Sequence, residues 1–285
     1  MNNKNKAILY ILISAFCFSL MNLCVKLSGD LPAIQKSFFR NLIAAFVAFI
    51  LLVRSRAGFS FKKENLPFFL LRAGFGTLGV FANFYAVSNM VLSDASMLNK
   101  LSPFFVLLFS YIFLKEKLTP FQVISVVTAF AGSLLIIKPS FDFSATFPAF
   151  CGFAGGMSAG IAYTCVRYLS LKGERGPFIV FFFSAFSCLA AVPFMIADFH
   201  PMTLNQILLL LGAGLGATGG QFGITAAYKY APGREVSIYD FSIVIFAAIW
   251  GAMFFGELPD IYSIFGYIII FAISFAMFIY NNRQA

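Results

Sequence analysis

Charge is scarce in this 285-residue chain: Asp, Glu, Lys and Arg make up 11% of it, while 60% is hydrophobic and mean hydropathy is +0.89. A soluble domain averages about 25% charged residues, so a large soluble domain is excluded. Ten apolar helices of about 20 residues each would account for most of the length. Histidine is nearly absent too, and the one present, His200, falls in a predicted loop. Serine and cysteine therefore lack a histidine partner, and neither a His-Glu-x-x-His run nor acids at metal-ligand spacing occur. No enzyme and no cofactor is expected. The five cysteines (Cys17, Cys24, Cys151, Cys165 and Cys188) lie inside apolar runs without a Cys-x-x-Cys pair, which argues neither disulfides nor zinc. The glycine-rich runs have no strand before them and no Lys-Ser/Thr after them, so they form no P-loop. With no ATP-binding domain, any energy for work must come from gradients.

What the chain has in quantity is long hydrophobic runs, at about 7–27, 34–53, 66–88, 94–114, 120–138, 146–167, 177–197, 204–227, 235–255 and 261–280. Turn and charge signals separate them, among them Gly29-Asp30-Leu31-Pro32, Lys115-Glu116-Lys117 and Glu257-Leu258-Pro259-Asp260. The runs must be helical, because an unpaired backbone amide in hydrocarbon costs several kcal/mol. The first run follows Lys4 and Lys6 as a signal segment would, but it continues past Leu20 without a small-residue cleavage site. It reads as a retained membrane helix.

The net charge of +9 first suggests nucleic acid. Its distribution says otherwise. With both termini inside, the inner segments hold Lys4, Lys6, Arg54, Arg56, Lys62, Lys63, Lys115, Lys117, Lys172, Arg175, Arg234 and Arg283. The outer loops instead collect Asp30, Asp142, Asp198, Glu257 and Asp260, against Lys138 and the helix-end Lys26 and Lys36. This is the positive-inside asymmetry. It predicts a multi-pass protein of the cell membrane with cytoplasmic N- and C-termini, partnered by the lipid bilayer and by no nucleic acid. Tyr10, Tyr111, Tyr168, Tyr228, Tyr230 and Tyr280 fall at the same inner ends, as an aromatic belt would.

An offset of 141 residues aligns the halves without gaps. Asn89–Ser96 then matches Tyr230–Ser237, Asp94 matches Glu235, Asn99 matches Asp240, Glu116 matches Glu257, and Gly79 matches Gly220. Five helices per repeat, an odd number, makes the second half enter the membrane from the opposite side. Inverted repeats of this kind characterise secondary transporters, with the solute site near the midplane. The expected organisation is all-α: ten transmembrane helices as two inverted five-helix repeats, residues 1–140 and 141–285.

Several short runs stand out in the first half: Phe18-Ser19-Leu20-Met21-Asn22 with Lys26, Phe38-Phe39-Arg40-Asn41, Tyr85-Ala86-Val87, Ser93-Asp94-Ala95-Ser96, Leu101-Ser102-Pro103-Phe104 and Leu114-Lys115-Glu116-Lys117-Leu118. Ala226-Ala227-Tyr228-Lys229-Tyr230-Ala231-Pro232 and Phe255-Gly256-Glu257 follow in the second. Through them, and over essentially its whole length, the chain resembles the EamA-like family of the drug/metabolite transporter superfamily. The resemblance implies a central cavity and movement of a small metabolite.

Ionisable groups inside a span are costly and usually functional. Arg40 lies about a turn and a half into the second span, Lys100 at similar depth in the fourth, and Asp240 about as deep in the ninth from the other side. Pro103 removes the amide that would bond to the carbonyl of Asn99, so a break is expected around Asn99–Pro103. Three roles for Lys100 stand open: receiving a carboxylate or phosphate of the solute, pairing with an internal acid, or snorkelling toward the outer surface. Depth counted along ideal helices puts Lys100 and Asp240 about a dozen ångströms apart, implying no direct bridge. Asp240, beside Tyr239, is a candidate for a cationic group or a proton. Arg40 is a candidate either for gating near the outer mouth with Asp94 or for solute contact. Asn22, Asn83 and Tyr85 are candidates for an outer vestibule and Tyr163 for an inner contact, with interhelical bonding or the aromatic belt as alternatives. Gly152/Gly156/Gly160, Gly212/Gly216/Gly220 and Gly74/Gly76/Gly79 are read as close-packing positions.

The leading expectation is a secondary transporter of a small polar metabolite, such as an amino acid or related organic ion. An organic-cation or drug exporter of the same fold is the alternative, and a non-transporting membrane interaction protein is the alternative of a different class. A coupling ion, proton or sodium, and a homodimer are both compatible with this arrangement.

Overall fold

The computed structural model describes residues 3–54, 59–114, 119–137, 143–230 and 237–283. Arg56, Lys115, Glu116, Lys117, Lys138, Asp142, Arg234 and Glu235, which entered the charge and repeat arguments, lie outside the described residues. The described chain is helical without strands, as the apolar runs require. Its helices are α1 (Asn3–Leu27), α2 (Ala33–Arg54), α3 (Leu66–Asn89), α4 (Leu92–Asn99), α5 (Ser102–Leu114), α6 (Pro120–Ile137), α7 (Phe143–Leu171), α8 (Gly176–Ala197), α9 (Leu204–Tyr230), α10 (Ser242–Trp250) and α11 (Ile261–Arg283). Eight of these are long and apolar enough to cross a membrane. Two further spans are composite. The fourth joins α4 to α5, and the ninth joins a 3-10 turn (Ser237–Phe241), α10 and a wide π-type turn (Gly251–Phe255). The fold is thus ten membrane helices in two inverted five-helix repeats.

The packing is between repeats rather than within them. α1 lies along α9, α3 along α7, α2 along α8, α6 along α11, and α4 against α10. Exchanging the halves maps this pattern onto itself: first with eighth and third with sixth spans are equivalent pairs, and the other three pair with their own counterparts.

Small residues make those approaches close. A Cβ on Gly156 would stand 2.6 Å from the Leu98 carbonyl oxygen, and one on Gly160 would stand 2.3 Å from Phe105 Cβ. On α9, a Cβ on Gly216 would meet the Cys17 carbonyl oxygen at 2.8 Å and one on Gly220 the Phe18 ring at 2.7 Å. The third glycine series needs correction. Gly79 does pack, on Gly155 of α7, but Gly74 faces open space and Gly76 leaves room for the Arg72 side chain. The five cysteines are free thiols.

At the end of the bundle opposite the termini a polar clasp ties three segments together. Lys26 Nζ donates to both carboxylate oxygens of Glu257 at 2.6 and 2.7 Å and to the Met90 carbonyl at 2.7 Å. Glu257 Oε2 also accepts from the backbone N–H of Leu92 at 3.3 Å, near the α4 N-terminus where a negative charge is favoured. Gly256, at φ +63°, ends the π-type turn in the left-handed region and delivers Glu257 to this position. Nearby, Lys36 is fully buried and donates to the Gly29 carbonyl and to Ser88 Oγ.

Candidate functional site

The sequence places a proline in the fourth span, and the backbone breaks there. The N–H of Lys100 closes α4 on the carbonyls of Ser96 and Met97, and α5 restarts at Ser102. Pro103 has no N–H to give to Asn99, so that carbonyl is released from the helical ladder. At the equivalent point of the second repeat, Asp240 sits in the 3-10 turn that precedes α10. Both repeats therefore depart from α geometry at matching positions, as discontinuous transporter helices do around a site.

Lys100 Nζ donates to Asp240 Oδ2 in a buried ion pair joining the two breaks. This corrects the separation expected from the sequence. That count assumed regular helices at 1.5 Å per residue. A 3-10 turn rises about 2.0 Å per residue, α4 is only eight residues long, and the four-methylene lysine stem crosses the remainder. Asp240 Oδ1 is buried and has no hydrogen-bond partner among the described residues.

A central cavity opens beside this pair, with about 760 Å³ of space counted together with its open mouth. It is walled by Phe18, Met21 and Asn22 of α1, Arg40 of α2, Arg72, Gly76, Gly79, Val80, Asn83 and Phe84 of α3, and Asn99 and Lys100 at the break. Ala159, Ala162 and Tyr163 of α7, Phe183 of α8, Gln221 and Ile224 of α9, and Ile243 of α10 complete it. Both repeats contribute walls. The lining mixes apolar rings with buried polar groups: Asn22, Asn83, Arg40, Arg72 and Lys100 are each under 9% exposed.

Among the expected site residues, the structure brings Asn22, Arg40, Asn83, Asn99, Lys100 and Tyr163 to one cavity, with Asp240 tied to it through Lys100. Tyr85 and Tyr239 do not line it. Tyr85 is 37% exposed and meets the Phe147 ring edge-on, because its position on α3 points away from the helix's cavity face. Tyr239 packs against the apolar cluster of Ala7, Ile11 and Ala227. Arg40 does not pair with Asp94. Its Nη1 donates to Asn41 Oδ1 at 2.8 Å, while Asp94 Oδ1 accepts from the Tyr267 hydroxyl.

The sequence reading missed Arg72. It lies six residues into α3, two turns from the basic Lys62-Lys63 segment, and so passes for one more inner-side charge. The signal that marks it is Gly76, one helical turn on. A Cβ there would stand 2.1 Å from Arg72 Nη1 and 2.8 Å from the Phe183 ring, so the glycine clears the space in which the guanidinium lies over that ring, 4.1 Å from its centroid. Arg40 approaches the same ring at 5.9 Å. Asn41, which orients Arg40, is held by Ser187 of α8 through a 2.8 Å hydrogen bond. Two like charges beside one ring in a poorly screened interior repel each other. The pair of arginines is thus an expense that packing alone does not explain.

The sequence profile described as the EamA-like transporter family matches residues 5–138 and 146–279. The chain is 34% identical over 265 residues to the pseudopaline exporter CntI of Pseudomonas aeruginosa (strain UCBPP-PA14), covering 92% of each chain. It is 30% identical to solute carrier family 35 member G1 of Homo sapiens, covering 92% of this chain and 76% of that one. The riboflavin transporter of Brucella anthropi is 23% identical, with 86% and 88% covered. In three dimensions a crystal structure with 15% sequence identity superposes with a TM-score of 0.69, covering 98% of this chain and 99% of that one.

Proposed function

The chain belongs to the EamA-like transporter family, and on that premise we propose that it is a secondary active transporter of a small polar metabolite, an amino acid or related organic ion. The solute binds in the central cavity between the repeats, at Asn22, Arg40, Asn83, Asn99, Lys100 and Tyr163, and crosses by alternating access. One observation carries this reading: the charged and amide side chains of Asn22, Arg40, Arg72, Asn83 and Lys100 are buried around a single cavity that both repeats wall, beside two matched helix breaks. Buried charge at membrane depth costs about 2.5–3.5 kcal/mol per residue even on the lenient scales, and a solute site justifies it. The organic-cation alternative loses support because Lys100 already occupies Asp240.

In this reading the repeats are residues 1–140 and 141–285 and both termini lie in the cytoplasm of a cell-membrane protein, which the positive-inside distribution of Lys and Arg supports. Energy comes from an ion gradient, proton or sodium, and the buried Lys100–Asp240 pair joining the two breaks is the element whose opening would tie the repeats' movement to that ion.

Counterflow in liposomes holding only this protein tests the reading. Vesicles loaded with one solute of a panel of amino acids, carboxylates, amines and sugars should accumulate a labelled trace of it saturably, and Lys100→Ala should reduce the rate at least several-fold. No saturable counterflow for any member overturns the transport reading.

A further inference from the structure

Around the cavity the charges do not balance. Asp240 is matched by Lys100, which leaves Arg40 and Arg72. Neither forms an ion pair with a carboxylate among the described residues, and the Nε of each is buried without an acceptor. Arg40 donates only from Nη1 to Asn41. Arg72, 5% exposed, has the face of Phe183 as its one polar-type contact among the described residues. A guanidinium does not shed its proton to escape burial, and its planar fork of N–H donors matches a carboxylate edge to edge. Two such forks, held against one phenylalanine ring with most donors unused, form a site built for two anionic groups.

We infer that the transported solute is an organic dianion whose two carboxylates are taken by Arg40 and Arg72, one each, with Phe183 against the chain that links them. This rests on the reading of the cavity as the solute site. The same lining adds a second requirement. Asn22 and Asn83 each carry a buried side-chain oxygen without a hydrogen-bond partner among the described residues, and a rotamer turned to the solute lets these accept from its hydroxyl or ammonium groups. An amine without carboxylates would instead lie beside two uncompensated guanidiniums, and a neutral sugar would leave both uncompensated.

The test uses the purified full chain and its thermal stabilisation by linear dicarboxylates of three to six carbons. Acetate, butyrate, a simple amine, a phosphate monoester and glucose are run alongside. One or two adjacent dicarboxylate lengths should stabilise the protein, with dissociation constants at least about tenfold below those of the monocarboxylates. Arg40→Gln and Arg72→Gln should each weaken that binding by about 10- to 100-fold, the loss expected for one charge-assisted pair. Arg72→Lys, which keeps the charge without the fork, should lose less. Should a glutamine variant fail to fold, Gly76→Ala supplies the same test by pushing the Arg72 guanidinium from its place. No shift with any dicarboxylate overturns the inference, as does a shift undiminished in the variants or one confined to the amine, the sugar or the phosphate ester. Counterflow separates the two readings. Flux of amines or sugars without dicarboxylate flux sinks the dianion and leaves transport standing. Dicarboxylate binding without any flux does the reverse.

Discussion

A lysine and an aspartate 140 residues apart, both buried, form the most consequential pair in the molecule. Removing one partner strands the other. Lys100→Met should lower stability by about 3–5 kcal/mol, and Lys100→Met/Asp240→Leu should recover most of that loss, because an apolar replacement of a whole buried pair is often neutral or stabilising. Melting curves in detergent check both values, and a double variant no better than the single would show that the pair is not what the lysine provides. Arg40, Lys100 and Asp240 could be found in the sequence because an ionisable residue inside an apolar run is conspicuous. Their partners could not. Whether Lys100 reaches Asp240 depends on helix tilt and on a 3-10 turn, neither of which spacing reveals. Arg72 was hidden for a different reason, since a charge two turns from a basic loop looks like part of that loop. Tyr85 failed as a candidate because a helix 24 residues long offers several faces, and no pattern in α3 singles out the one on the cavity.

Helix breaks and glycine stripes decide how the elements meet. The proline and the glycine spacing announced both, since each follows from backbone chemistry within a few residues. Their partners again came only from the fold. Gly160→Ala should cost about 1–3 kcal/mol through overpacking, because its Cβ would collide with Phe105. Gly74→Ala, with nothing within 4 Å, should instead gain about 0.5–1 kcal/mol from helix propensity. Melting temperatures that move together would refute this division of the glycines. Pro103→Ala restores the N–H missing from the Asn99 carbonyl and should let α4 and α5 join. Counterflow should then slow several-fold while equilibrium solute binding changes little, since the cavity side chains remain in place.

On the scale of the whole molecule, the two-fold exchange of helix pairs is what an odd number of helices per repeat produces, and the 141-residue offset already contained it. What the offset did not contain is the clasp. Lys26 and Glu257 looked like ordinary loop and helix-end charges, yet they converge with Met90 and Leu92 at the end opposite the termini. Glu257→Ala should release this end. In a variant whose native cysteines are replaced, a cysteine at Asn22 should then react faster with an impermeant thiol reagent applied from that side. Labelling rates unchanged by Glu257→Ala would remove the clasp from the gating scheme.

The central claim is that one cavity opens in turn to the two faces of the membrane, and a single cavity residue can report on it. Asn83 is buried in the α3 wall, its side-chain oxygen without a hydrogen-bond partner among the described residues. Placed in a background without native cysteines, Asn83→Cys in sealed vesicles should be modified by an impermeant thiol reagent supplied from either side. The reaction should leave the vesicles impermeable to that reagent. Labelling from one side alone, or from neither, would contradict alternating access and reduce the cavity to a packing defect.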